Sequence, residues 1–350
     1  MICSIIIATC NRPESLSGML DHVGAAIAKT GLQHRVIVAD NGTDRPAEDV
    51  VAQFGGRTGV RLQYLRSEPR NKSNALNAGI GAADTEWLAF TDDDTLPDPD
   101  WLNSGMAFAI RGLCRVFGGR ILAGQPDAPL PSWMRPAANG EYPGHGVFVR
   151  YHPLQQSGLL GPSDRVPFGA NVFVRRDVFK EHGGYDEQLW KCCGRAALGA
   201  EDGEFGIRLQ QRGEPIGYCH EAVVVHPVHV ERCRWRTQLR LAFYYGWRDP
   251  IVGFDPRRRL VEPYRLRQWA VWSARAAAER LGGRDAAAFA DSLKAARAMG
   301  SVLCRFSAGY RRRAVQVRED RNGQRVNFEC PRRSAAARVE PRRLRKTDSP

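Results

Sequence analysis

The chain is 350 residues long, 43% hydrophobic and 25% charged, with a formal net charge of +13. Those proportions are ordinary for a soluble globular protein, and the length suggests about two domains. No apolar run approaches the ~20 residues that cross a bilayer. The start, Met1-Ile-Cys-Ser, goes straight into a strand without a basic region, so neither a spanning helix nor a signal peptide is expected.

The charge is uneven. From Arg305 to the end there are 14 Lys and Arg against 5 Asp and Glu, so most of the excess lies in the tail. Nine cysteines make an odd count with no Cys-x-x-Cys pair. Cys3, Cys10 and Cys219 stand in strand-like apolar context, which suggests reduced core thiols and a cytoplasmic location.

Ser4 to Thr9 is a continuous β-branched and apolar run, as expected of a strand buried on both faces. Asn11 suits a helix cap, Pro13 and Glu14 suit its first turn, and Leu16, Met19, Leu20, Val23 and Ile27 keep helical spacing. Arg35 to Asp40 reads as a second buried strand ending in the turn-forming Asn41-Gly42. Arg61 to Arg66 reads as a third strand, Lys72 to Ala83 as a small-residue helix, and Glu86 to Thr91 as a fourth strand. This alternation predicts a mostly parallel, doubly wound α/β sheet. Arg115 to Leu122 reads as a further strand, and Gly124 to Pro167 as a long Pro-, Gly- and Ser-rich loop of functional type. Phe168 to Arg175 follows as a strand and Arg176 to His182 as a short helix. Gly199 to Gly213 reads as a helix opening with acids, and Ile216 to His226 as the last strand. Beyond it come Arg- and Trp-rich helices to about Met299. The tail after them carries few large apolar residues, so disorder is expected over its last forty or so residues.

The chemistry gathers at Glu86-Trp-Leu-Ala-Phe-Thr-Asp-Asp-Asp-Thr-Leu-Pro-Asp-Pro-Asp-Trp101. A strand-length apolar run breaks into Asp92, Asp93 and Asp94 at the carboxyl end, where open α/β sheets bind ligands. Three carboxylates so close repel one another unless a cation neutralises them. Oxygen ligands of this kind suit Mg²⁺ or Mn²⁺ held against a diphosphate. The alternative is a solvated acidic turn.

Seven segments in order resemble the family-2 glycosyltransferases of GT-A fold. They are Ser4-Ile-Ile-Ile-Ala-Thr-Cys-Asn-Arg12, Val38-Ala-Asp-Asn-Gly-Thr-Asp44, Asn74-Ala-Leu-Asn-Ala-Gly79, Phe90-Thr-Asp-Asp-Asp94, Phe168-Gly-Ala-Asn171, Gly183-Gly-Tyr-Asp186 and Glu201-Asp202. The resemblance covers roughly residues 1–230. It implies metal-dependent, inverting transfer of a sugar from a nucleotide-sugar, expected to be UDP-linked, in polysaccharide or glycolipid synthesis. The acceptor would be a hydroxyl of a glycan or a lipid-linked sugar. Thr9 and Arg12 fall where the family contacts the nucleotide, and Arg12 also reads as a plain surface cation. Asp40 reads either as the acceptor of a uracil ring N–H or as an Asx-turn residue. Lys72 reads as a phosphate cation or as a solvated helix-start lysine.

Asp92 and Asp94 look like the Asp-x-Asp motif. Asp94 is the expected direct metal ligand, and Asp92 faces ribose or metal-bound water. Asp93 leaves the register open, since some relatives use adjacent acids. His226, in His226-Pro-Val-His229, is a candidate further metal ligand or a core histidine. Asp202 is the expected general base, taking the acceptor proton, and as a helix-first-turn acid it is also favoured by the dipole.

Asn74-Ala-Leu-Asn77 and Arg234-Trp235 resemble motifs of processive synthases. Glu231 stands where those enzymes have Gln, and their membrane helices are absent, so a single-addition enzyme is expected. Trp235 reads as an acceptor-stacking ring or as helix core. The implied organisation is a catalytic domain over 1–230, with a nucleotide-sugar half at 1–120 and an acceptor half at 121–230. A helical extension over 231–300 and a basic tail over 301–350 follow. The tail suggests peripheral contact with the anionic inner face of the membrane. A nucleic-acid-binding reading also starts from the tail, but no binding motif is present and the acidic cleft opposes a phosphate backbone. A nucleotidyltransferase would want a Gly-rich loop after the first strand, and Ala8-Thr-Cys-Asn-Arg-Pro13 is not that.

Overall fold

The computed structural model describes residues 2–43, 46–58, 60–68, 71–136, 141–194, 199–253 and 263–323. Strand β1 (Cys3–Thr9) is buried along its whole length, which its two-faced apolar sequence requires. Helix α1 (Pro13–Thr30) begins on the predicted proline and buries Leu16, Met19, Leu20, Val23, Ala26 and Ile27. Its N-cap is Arg12 rather than Asn11, with no side-chain bond. Asn11 instead takes φ 53°, a left-handed conformation that Asn tolerates. Its amide grips Thr43, donating to Oγ1 at 3.0 Å and accepting from the backbone N–H at 2.9 Å.

Strand β2 (Arg35–Asp40), helix α2 (Pro46–Thr58), strand β3 (Arg61–Arg66), helix α3 (Lys72–Ala82) and strand β4 (Trp87–Asp92) complete the first half. β1 pairs in parallel with both β2 and β4, and β2 with β3. That register places Thr9 opposite Asp40 and Ala8 opposite Asp92, so three chemistry-bearing residues finish side by side.

The second half adds β5 (Leu96–Pro97), α4 (Trp101–Ile110), β6 (Val116–Pro126), β7 (Gly158–Leu159), β8 (Val172–Arg175), α5 (Arg176–His182), α6 (Leu189–Cys193), α7 (Glu201–Gln211) and β9 (Ile216–Val228). The sheet runs β3-β2-β1-β4-β8-β6-β9-β5, with β7 against β9. β8 is antiparallel to β4 and β6, whereas β6 and β9 are parallel. The predicted strand over 168–175 is therefore half strand, because Gly169–Asn171 forms a 3₁₀ turn first. Alternate residues of β1 feed opposite cores. Ile5 and Ile7 pack with Leu16, Trp87, Phe117 and Phe173, while Ile6 packs with Leu76, Phe90, Val174 and Phe205.

Helices α8 (Trp235–Val252), α9 (Pro263–Leu281), α10 (Asp285–Cys304) and α11 (Ala308–Gly323) follow. α8 and α10 meet through glycines: a Cβ at Gly246 would sit 1.9 Å from the Arg297 carbonyl oxygen, and one at Gly300 2.1 Å from that of Phe243. The expected tail boundary at 301 falls inside α10. α11 is helix where disorder is predicted, and it buries Tyr310 and Arg313. Residues 324–350, where the rest of the tail prediction falls, lie outside the described residues. Residues 1–314 form one unit, and the described part of a second unit, 315–323, is the remainder of α11. Cys3 and Cys219 are buried thiols as expected, whereas Cys10, one residue past β1, is exposed.

Candidate active site

The three aspartates at the end of β4 turn in three directions. Asp92 accepts from Lys72 Nζ at 2.7 Å. Asp93 accepts from Thr9 Oγ1 at 2.8 Å and from Arg12 at 3.1 Å. Asp94 accepts from the same Arg12 nitrogen at 3.1 Å, with His226 Nε2 at 3.8 Å and Arg232 at 3.7 Å. Asp93 and Asp94 are nearly buried. The expected repulsion is thus relieved by Arg12, Lys72 and Arg232 from the protein itself. Burial would raise the Asp92 pKa, but the charge and hydrogen bond of Lys72 more than offset it and the net shift is downward. Burial wins at Asp93, whose pKa is raised despite Arg12 and Thr9.

Lys72, at the start of α3, carries this network to α7. Its Nζ lies 3.1 Å from Glu201 as well as 2.7 Å from Asp92. Burial disfavours the ammonium, yet Asp92, Glu201 and Asp202 outweigh it and raise its pKa well above the ordinary value. Asp202 follows Glu201 in the first turn of α7. Its Oδ2 accepts from the Gly169 N–H at 2.9 Å and its Oδ1 from its neighbour Gly203 at 2.7 Å. Desolvation, then the charge of Glu201, push its pKa up to about 6, with Lys72 pulling the other way. A carboxylate poised there is near the working range of a general base.

Asp40 stands beside Thr9 but is already well supplied with donors. It is 1% exposed and accepts from the Gly42 N–H at 2.7 Å, Tyr64 Oη at 2.9 Å and Arg66 at 3.2 Å. A carboxylate offers about four lone-pair sites, so these three donors leave it capacity for one more.

Behind the carboxylates, the remaining sequence motifs serve as scaffold. Asn77 on α3 donates to the Tyr185 carbonyl at 2.9 Å and accepts from its N–H at 2.9 Å. A Cβ at Gly184 would lie 2.4 Å from the Asn77 Oδ1, which explains the glycine. Asn171 is wholly buried and accepts from Trp101 Nε1 at 2.8 Å. It donates to the carbonyls of Arg120 at 3.0 Å and Ala222 at 2.9 Å, filling the gap where β6 and β9 shift register.

Among the described residues no three His, Cys, Asp or Glu side chains gather around one point. Asp94 and His226 nevertheless suit a divalent cation. Ligands about 2.1 Å from an octahedral metal stand about 3 Å apart when adjacent and about 4.2 Å when opposed, and the observed 3.8 Å lies between. Mg²⁺-type sites use one or two protein ligands and complete the shell with water and substrate phosphate.

The structure therefore brings Thr9, Arg12, Lys72, Asp92, Asp93, Asp94, Asp202 and His226 into one connected region, with Asp40 on its β2 edge. Sequence reasoning missed Arg232 and did not give Glu201 a role of its own. It also missed Arg313, which at 7% exposure reaches Asp186 and, at 3.3 Å, Glu204 of α7. No local signal separates these arginines from their neighbours. His229 turns away to Asp127 at 3.1 Å. Trp235 packs edge-on against Trp133 and Phe289 under Arg280, so of its two readings the structure supports helix core. Cys192 and Cys193 are buried, and desolvation pushes the Cys193 thiol up to about 12, which makes them inert.

A mixed, mostly parallel sheet carries carboxylates at adjoining strand ends, and the sequence match identifies the family. The profile described as Glycosyl transferase family 2 matches residues 4–183. The chain belongs to that family. It is 26% identical over 233 residues to the pre-mycofactocin glycosyltransferase of Mycobacterium tuberculosis strain H37Rv, covering 63% of this chain and 43% of the relative. It is 28% identical over 227 residues to the succinoglycan biosynthesis protein ExoM of Rhizobium meliloti, covering 65% and 67%. The chain thus spans less than half the length of the mycobacterial relative. The S. aureus TarS structure in complex with UDP is similar at 16% identity and TM-score 0.49, covering 91% of this chain and 92% of that one.

Proposed function

We propose that this chain is an inverting glycosyltransferase that moves a sugar from a nucleotide-sugar, UDP-linked, to a hydroxyl of a glycan or lipid-linked acceptor. The observation that carries the reading is Asp202, a carboxylate with its pKa raised to about 6. It is joined through Lys72 to the aspartates at the end of β4.

In this reading residues 1–120 hold the donor and 121–230 the acceptor. Asp40 accepts from the base, and Thr9 positions Asp93, which positions Arg12. Asp202 takes the proton of the acceptor hydroxyl as its oxygen bonds to the anomeric carbon. The bond from that carbon to the diphosphate breaks, and the nucleoside diphosphate leaves with the electron pair. Attack from the face opposite the leaving group inverts the centre. Asp94 and His226 would hold Mn²⁺ or Mg²⁺, which when bound neutralises charge on the departing diphosphate. Arg12 and Arg232 put positive charge on the same side.

Among the described residues no helix is long and apolar enough to cross a membrane, and the described cysteines are free thiols. We place the enzyme in the cytoplasm, in peripheral contact with the membrane where lipid-linked acceptors are assembled. The name of the Rhizobium relative, a succinoglycan biosynthesis protein, supports a role in surface or extracellular polysaccharide synthesis. The test is a panel of nucleotide-sugars assayed for donor hydrolysis and transfer, with the product anomer read by NMR. Release of a nucleoside diphosphate with an inverted product supports the reading; a retained configuration, or release of pyrophosphate from a sugar phosphate and a nucleoside triphosphate, overturns it.

A further inference from the structure

Helix α9 has two unlike sides, and one of them is exposed, with nothing packed on it among the described residues. Arg265, Gln268, Trp272, Ala276 and Glu279 recur at helical spacing and are half-buried. That side meets α10, where Arg275 pairs with Asp291 at 3.0 Å and Lys294 lies 4.2 Å over the Trp272 ring. No residue of α9 is fully buried. On the other side Leu266, Ala270, Ala274, Ala277 and Leu281 form an exposed stripe with i, i+3 and i+4 spacing, and Trp269 stands beside Leu266. Leu266 is 46%, Trp269 39% and Leu281 91% exposed. Contiguous apolar surface of this kind marks a docking face.

The charges say what docks there. Between residues 263 and 284 the sequence has Arg265, Arg267, Arg275, Arg280 and Arg284 against the single acid Glu279. Arg267, Arg280 and Arg284 flank the stripe and are exposed. Arg280 also lies over the Trp235 ring and 3.9 Å from Asp285, and Arg284 pairs with Glu279, so Arg267 is the flanking cation on which the charge match chiefly rests. A second copy of the chain would bring the same arginines face to face, because a twofold contact repeats one surface on itself. An anionic lipid surface offers the opposite charge together with an apolar layer. A basic helix with Leu and Trp on one face lies in that boundary rather than crossing it, and tryptophan favours that depth.

We infer that α9 is the membrane-docking surface of this protein, with its Leu266, Trp269 and Leu281 side chains in the acyl boundary and its flanking arginines at the headgroup phosphates. This goes beyond the sugar-transfer reading and does not need it, since lipid binding is measured without a donor. The experiment is co-sedimentation of the full chain with vesicles of phosphatidylcholine alone or mixed with phosphatidylglycerol. Three variants run beside it: a truncation after Gly323, the double variant Leu266→Glu with Trp269→Glu, and the milder Leu266→Ala with Trp269→Ala. All substituted side chains are exposed, so thermal melts should match the parent chain. The full chain and the truncation should sediment with the anionic vesicles, and the double Glu variant should bind at least about tenfold more weakly, with the Ala variant between. Undiminished binding of the double Glu variant would overturn the inference, as would absence of binding by the full chain at low salt. So would a dimer seen by light scattering that the Glu pair dissolves, because the stripe would then be covered by a second copy.

Discussion

Arg313 gives the sharpest test of how the C-terminal helix is joined to the catalytic domain. Its side chain is 8% exposed and lies between Asp186, 13% exposed, and Glu204, 5% exposed. Glu204 keeps Arg208, which binds it through two nitrogens at 3.0 Å each. Removing one partner from a buried ion pair costs about 3–5 kcal/mol, and the surviving Arg208 pair puts Arg313→Ala near the lower end, about 3 kcal/mol. At about 2–4 °C per kcal/mol for domains of 150–250 residues, that corresponds to a melting shift of about 6–12 °C, with a long chain toward the smaller figure. Arg311→Ala and Arg312→Ala remove the same charge from exposed neighbours. Differential scanning fluorimetry of the three variants isolates burial from charge. Arg313→Ala should drop well below the other two, which should stay within about 1 °C of the parent chain, as surface changes do. Equal melting temperatures for all three would refute the buried position of Arg313 and with it the docking of α11 on α7.

Three further predictions concern the site. Because the Asp202 pKa is raised to about 6, kcat/KM should fall about tenfold for each pH unit below 6, at a higher pH than an ordinary aspartate would give. The folded chain holds that proton more tightly than the unfolded chain does, so ionising Asp202 as pH rises through about 6 costs stability. Asp202→Asn loses one of the two backbone hydrogen bonds, so the pH dependence is the test. The melting temperature of the variant relative to the parent chain should rise between about pH 4 and pH 7, and a difference that does not change with pH would contradict the raised pKa. At the proposed metal pair, Asp94→Asn should weaken Mn²⁺ binding measured by electron paramagnetic resonance about tenfold or more, since it would remove a charged ligand. Mn²⁺ binding unaffected by Asp94→Asn and by His226→Ala would remove both residues from the metal.

Much of this could be read in the sequence because the signals were local. β1 announces itself by five consecutive apolar or β-branched residues, and α5 has both bounds set, by Arg176 and by Gly183 after His182. The Asp triplet marks the end of β4 because a run of carboxylates is costly to bury without partners. What was lost depended on distant partners. Asn11 has the composition of a cap, but the loop carrying Thr43 claims its side chain. α11 reads as solvated tail because Arg311-Arg-Arg313 lacks large apolar neighbours. Its place is fixed by Tyr310 among Leu189, Cys192 and Cys193, and by two acids more than a hundred residues upstream. Arg232 likewise acquires meaning only when β9 brings its strand end to Asp94. The cations of the cleft were seen singly, as a phosphate lysine and a nucleotide arginine. That they neutralise the aspartates themselves required the register of β1 between β2 and β4.

Asp202 is the proposed proton acceptor for sugar transfer, and paired measurements of turnover and donor binding decide whether it holds that role. With the donor found in the nucleotide-sugar panel, Asp202→Asn should lower kcat for transfer by about 10²–10⁴-fold, while donor affinity by calorimetry stays within about threefold of the parent chain. Near-normal transfer by Asp202→Asn, with donor binding intact, would contradict it.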